Sequence, residues 1–152
     1  MMPPVFDLEL AFKAGVIGGS VTFLLLFLAR YLHLCGLNYP AILGSIITRE
    51  EDSGSQMLGF MLHLAISGLF GLLYAALFYP LHGSGWLRGW IISVPHVMLS
   101  MLLIVVAALM VSPVRKNLRT LIPREYHVSY TVAILVMLHM VYGMTVGIVY
   151  TM

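Results

Sequence analysis

Residues 57–79 read MLGFMLHLAISGLFGLLYAALFY, a run with no charged side chain and a single histidine, His63. At a rise of about 1.5 Å per residue, such a run covers the hydrocarbon core of a bilayer, about 30 Å thick. It lacks the period-two alternation of a membrane strand, so helix is the structure that satisfies its backbone groups in lipid. Three further runs, at about 14–34, 87–112 and 128–151, are similarly long and apolar, with a single arginine near one end of the first two, Arg30 and Arg88. The rest of the composition agrees. The chain has 152 residues, 61% of them hydrophobic and 9% charged, with a mean hydropathy of +0.98. A soluble domain carries roughly 45–50% apolar and roughly 25% charged residues. The expected fold is therefore all-α: one transmembrane domain over residues 1–152, a four-helix bundle in a bilayer. A formal charge of +2 is too small for nucleic-acid binding. The single cysteine, Cys35, excludes an internal disulfide framework or a CxxC motif and is expected to be a buried thiol. The first run is too long for a removed leader and lacks a small-residue cleavage site, so it is expected to stay as a signal anchor.

Lys and Arg set the orientation. Arg30, Arg49, Arg115, Lys116, Arg119 and Arg124 lie in or beside the connections after spans one and three, against only Lys13 and Arg88 elsewhere. The positive-inside rule places those two connections in the cytoplasm, in an inner (cytoplasmic) membrane with both termini outside. Trp86 and Trp90 are expected at the outer boundary, and Tyr31, Tyr39, Tyr126 and Tyr130 at the inner one. In the first connection, Asn38-Tyr39-Pro40 reads as a turn opening a short helix. Residues 41–47 are too apolar for water and too short to cross, so this helix is expected in the interface. Ser53 with Gln56 three residues on forms a capping-box pattern for span two. Residues 114–121 form a basic amphipathic stretch closed by Pro123, expected to face headgroups.

The chain also divides into similar halves, about 1–76 and 77–152. His63, Ser67, Gly71 and Tyr74 recur at an offset of 76 as His139, Gly143, Gly147 and Tyr150. More weakly, Ala11, Gly15 and Gly19 recur at an offset of 74 as Gly85, Gly89 and Ser93. A copied two-helix unit keeps its direction, so the expectation is a pair of parallel repeats. Gly15, Gly19, Gly71, Gly89, Gly143 and Gly147 are the helix-packing candidates. Small residues four apart share a face and let backbones approach where lipid supplies no hydrophobic drive.

No Asp, Glu or Lys falls inside the four runs, which argues against an ion-coupled transporter. No Walker loop, HExxH or GxSxG occurs, and no metal site is expected. Histidines carry what chemistry there is. Depth counted along the helices pairs His96 with His139 near mid-membrane and His33 with His63 near the inner surface. Neutral imidazole binds haem iron, so His96 and His139 form the favoured b-type haem pair and His33 and His63 the lesser one. For each, the plainer alternative is a hydrogen bond between helices. No cofactor at all is the first expectation. Met137, Met140 and Met144 form a soft stripe. His139 points about 100° away from Met140, the angle between neighbours in a 3.6-residue turn, so packing accounts for the methionines better than copper.

The segments Ala14-Gly15-Val16-Ile17-Gly18-Gly19, Tyr39-Pro40-Ala41-Ile42-Leu43-Gly44 and residues 63–74 resemble a family of uncharacterised bacterial four-helix membrane proteins. The likeness spans roughly the first 80 residues and implies the bundle, without an activity or functional residues. The expected function is a non-catalytic accessory or anchor subunit of a larger, energy-transducing membrane complex, with lipid and other membrane subunits as partners. The alternatives are a b-type haem or quinone-site subunit and a small carrier or channel.

Overall fold

The computed structural model describes residues 6–50, 52–110 and 128–150. Among them there are five helices: α1 (Leu8–Tyr31), α2 (Tyr39–Thr48), α3 (Ser53–Phe78), α4 (Trp86–Met110) and α5 (Val128–Val149). Helices α1, α3, α4 and α5 are long and apolar enough to cross a membrane. The chain is an all-helical, multi-pass transmembrane bundle. The basic stretch at 114–121, Pro123 and Tyr126 lie outside the described residues.

The helix starts follow local capping chemistry. Asp7 caps α1 by accepting from the Leu10 N–H at 2.9 Å, which starts this helix six residues ahead of the hydropathy boundary. Span two begins earlier as well. Asp52, rather than Ser53, is the N-cap of α3, and its carboxylate accepts from the Ser55 N–H at 2.7 Å. An acidic oxygen one residue upstream displaces the expected capping box, because carboxylates also answer the positive end of the helix dipole. Asn38 caps α2, Pro40 sits in its first turn, and Arg49 ends it in the left-handed region (φ 60°).

Glycine decides how the helices meet. A β-carbon on Gly15 would fall 2.3 Å from the Ser67 carbonyl oxygen, and one on Gly71 would fall 2.3 Å from the Ala11 carbonyl oxygen. In the other pair, a β-carbon on Gly89 would fall 1.9 Å from the Gly143 oxygen, and one on Gly147 would fall 2.2 Å from the Gly85 oxygen. The antiparallel pairs α1/α3 and α4/α5 are therefore in backbone contact, which only glycine permits. The six packing candidates all lie in these two seams. The pairs join chiefly where α1 meets α5, at Gly18 against Tyr142 and Val146, whereas α3 and α4 touch at few points.

The short helix α2 is present and packs on α3. Gly44 abuts Ser55 and Gly59 abuts Pro40, so α2 runs antiparallel beside the first turns of α3. Pro40, Ala41, Ile42, Gly44 and Ser45 are buried by it. This packing turns Tyr39 inward, toward His63, and away from the boundary ring expected of it. Tyr31, Tyr130, Trp86 and Trp90 are exposed.

Two apolar clusters result. One gathers Tyr74, Phe78, Ile92, Tyr142, Val146 and Tyr150 toward the end where α1 begins. The other gathers Leu26, Cys35, Leu37 and Ile42, with Leu135 and Leu138 against them, at the α2 end. Cys35 is buried, its sulfur accepting from the Leu37 N–H at 3.4 Å. Between the clusters lies a polar layer.

Candidate functional site

That layer surrounds a cavity of about 80 Å³ bordered by all four long helices and by Tyr39. Three histidines from three helices line it: His63 on α3, His96 on α4 and His139 on α5. Counted at about 1.5 Å per residue, His63 lies roughly 15 Å from the start of α3, and His96 roughly 15 Å from the start of α4. His139, with roughly 16 Å of α5 before it, falls at the same level as His96.

His96 is held on several sides. Its ring stacks on Phe70 with centroids 4.0 Å apart, and its Nδ1 lies 3.2 Å from the Tyr74 hydroxyl. It also meets the His139 ring edge to face at 5.0 Å, with an interplanar angle of 82°. His139 donates from Nδ1 to its own helix's Leu135 carbonyl at 2.7 Å. His63 donates from Nε2 across the α1/α3 seam to the Gly19 carbonyl at 3.0 Å. Gly19 carries no side chain of its own, and a β-carbon there would meet the Ser67 side chain and approach His63 Nε2 to 3.7 Å. Tyr142 donates to the Ser67 carbonyl at 2.6 Å, tying α5 to α3, and Thr22 donates to the Gly18 and Gly19 carbonyls.

The structure thus brings His96 and His139 together and changes the expected partner of His63. His33 stands apart: it is exposed in the turn after α1, with φ 56°. The two-pair scheme fails on a boundary. The early cap at Asp52 begins α3 four residues ahead of the hydropathy edge, which carries His63 toward the level of the other two. The favoured haem pair also meets a steric difficulty. A porphyrin must lie between its two ligating rings, and rings already in edge-to-face contact leave no slot for one. Among the described residues, no group of three or more His, Cys, Asp or Glu is placed to hold a metal ion.

Sequence reasoning did not find Thr22, Tyr39, Phe70 or Tyr142 as wall residues. One signal was there. Thr22 precedes His96 by 74 positions, the offset already seen between the first and third spans. The other three depend on which helix faces which, and the periodicity of a helix apolar all round does not report that.

No family model, curated protein or solved structure matches the chain.

Proposed function

We propose that the protein is a non-catalytic membrane subunit, an anchor or accessory element of a larger, energy-transducing complex. Its uneven lateral coverage carries this reading. Helix α1 packs on both α3 and α5 while keeping Leu24 and Phe27 exposed, whereas α4 packs chiefly on α5, hardly meets α3, and leaves Trp86, Ile91, Val94, Met98 and Leu102 exposed. In lipid, close association rests on shape and small residues more than on apolar burial, so an open flank suits a neighbouring span. The reading places the chain in the inner membrane with the α1–α2 connection in the cytoplasm and both termini outside, following Arg30 and Arg49 against Lys13 and Arg88. It also treats the two hairpins as parallel internal repeats. Gly15 meets Ser67 and Gly71 as Gly89 meets Gly143 and Gly147, at the offsets of 74 and 76 noted above. The test is extraction from native membranes in mild detergent, with photo-crosslinking groups at Met98 and Leu102 on α4 and at Leu24 and Phe27 on α1. Crosslinks to one discrete partner from α4 alone are expected. A lone monomer that crosslinks only to lipid from every position would overturn the reading.

A second reading, a small carrier or channel, is favoured by the histidine-lined cavity between the hairpins. Flux into liposomes that depends on His96 and His139 would support it over the first.

A further inference from the structure

The walls of the central cavity share a chemical bias. A backbone carbonyl can only accept, so each side chain bonded to one has committed a proton to it. His63 gives its Nε2 proton to Gly19, His139 its Nδ1 proton to Leu135, Tyr142 its hydroxyl proton to Ser67, and Thr22 its hydroxyl proton to Gly18 and Gly19. A charged imidazole at this depth costs several kcal/mol, and no carboxylate lines the cavity to offset it. With the rings neutral, His63 is left with Nδ1, His139 with Nε2, and Tyr142 and Thr22 with oxygen lone pairs. All four are acceptors. The hydroxyls of Tyr39, Ser67 and Ser100 can turn either way, and the role of His96 follows the direction of its bond with Tyr74.

We infer that the cavity is a binding site for a small uncharged molecule carrying at least two N–H or O–H donors. The four committed acceptors and the lack of a carboxylate point to it, set in a wall that is otherwise mostly apolar. In this measure a water needs roughly 10–15 Å³, so about 80 Å³ holds a handful of waters or one molecule of a few heavy atoms. A cation would have no counter-charge, and an acceptor-only ligand could be met only by the Tyr39, Ser67, Ser100 or His96 donors, leaving the His63 and His139 acceptors unmatched. Phe23 and Phe70 supply apolar walls. The inference concerns occupancy and holds whether or not the chain joins a complex or passes a solute.

The test uses the full-length protein, labelled with ¹⁵N-histidine, in lipid nanodiscs. Before any addition, His63 should appear as the Nε2–H tautomer and His139 as the Nδ1–H tautomer; the opposite tautomers would remove the argument. Urea and glycerol are then titrated against acetone and dimethyl sulfoxide, which match them roughly in size but donate nothing. The expected result is a saturable upfield shift of the unprotonated His63 and His139 nitrogens with urea or glycerol only. His139→Phe, verified as helical and monodisperse, should weaken the response at His63 about tenfold, a hydrogen bond's worth plus lost room. Equal response to acetone would overturn the inference in favour of a generic apolar hollow. Absence of any saturable shift would reduce the cavity to a water pocket. A shift with Zn²⁺ or Cu⁺ alone would make it a metal site.

Discussion

The two glycine-seamed hairpins, α1/α3 and α4/α5, meet in the same way and are furnished differently. In both, a glycine on the first helix faces two small residues on the second, at Gly15 against Ser67 and Gly71 and at Gly89 against Gly143 and Gly147. The side chains around the seams diverge. His96 of α4 occupies the position that Thr22 holds in α1. Tyr74 bonds His96, while its counterpart Tyr150 accepts from the Asp7 backbone N–H at 3.3 Å. Helix α2 packs chiefly on α3 of the first hairpin. Close helix contact in lipid therefore constrains backbone-facing positions tightly and leaves the cavity walls free to differ.

The largest effects should come from closing either seam. Gly15→Ala and Gly89→Ala each drive a methyl into a carbonyl that belongs to a helix backbone and cannot swing aside. Each should cost about 1–3 kcal/mol in unfolding from mixed micelles, the usual range for overpacking. Similar losses support the equivalence of the hairpins; a large loss at one and none at the other breaks it. The link between hairpins comes next. Tyr142→Phe removes the donor to the buried Ser67 carbonyl, a bond with no counterpart in the other half, where Ile66 stands at the matching offset. A loss of about 1 kcal/mol is expected in the same assay.

A smaller contrast separates Asp52 from Ser53. Asp52→Ala should cost about 1 kcal/mol and Ser53→Ala only a few tenths, because the aspartate caps α3. The last contrast is one of pH dependence and belongs to Tyr39, outside the long spans. Burial disfavours its phenolate and pushes the hydroxyl from 10 up to about 12. The folded chain thus holds this proton more tightly than the unfolded one. The contribution to stability is full below pH 10 and is lost as pH climbs through 12. Stability followed from pH 9 to 12.5 should fall less steeply in Tyr39→Phe than in the parent.

Much of the architecture was legible because lipid imposes crude rules. Uncharged runs of about 20 residues become helices, and the spacing of Gly15, Gly19, Gly71, Gly89, Gly143 and Gly147 marked the seams. Helix ends were less legible, since hydropathy does not see Asp7 or Asp52, whose polar caps extend the helices past the apolar edges. That small error mattered most for the site, as it misplaced His63 by a turn and paired it with His33. The docking of α2 was also out of reach. An apolar ten-residue helix reads the same whether it rests on headgroups or on Gly59.

The arrangement of the hairpins rests on the approach of α1 to α5, where a β-carbon on Gly18 would lie 3.2 Å from Val146 Cγ2. Replacing Cys35 with serine and placing cysteines at Gly18 and Val146 tests it in native membranes. A rapid disulfide within one chain, on mild oxidation, is the predicted result. Failure to form it in well-folded protein, or bonds only between chains, would contradict this bundle.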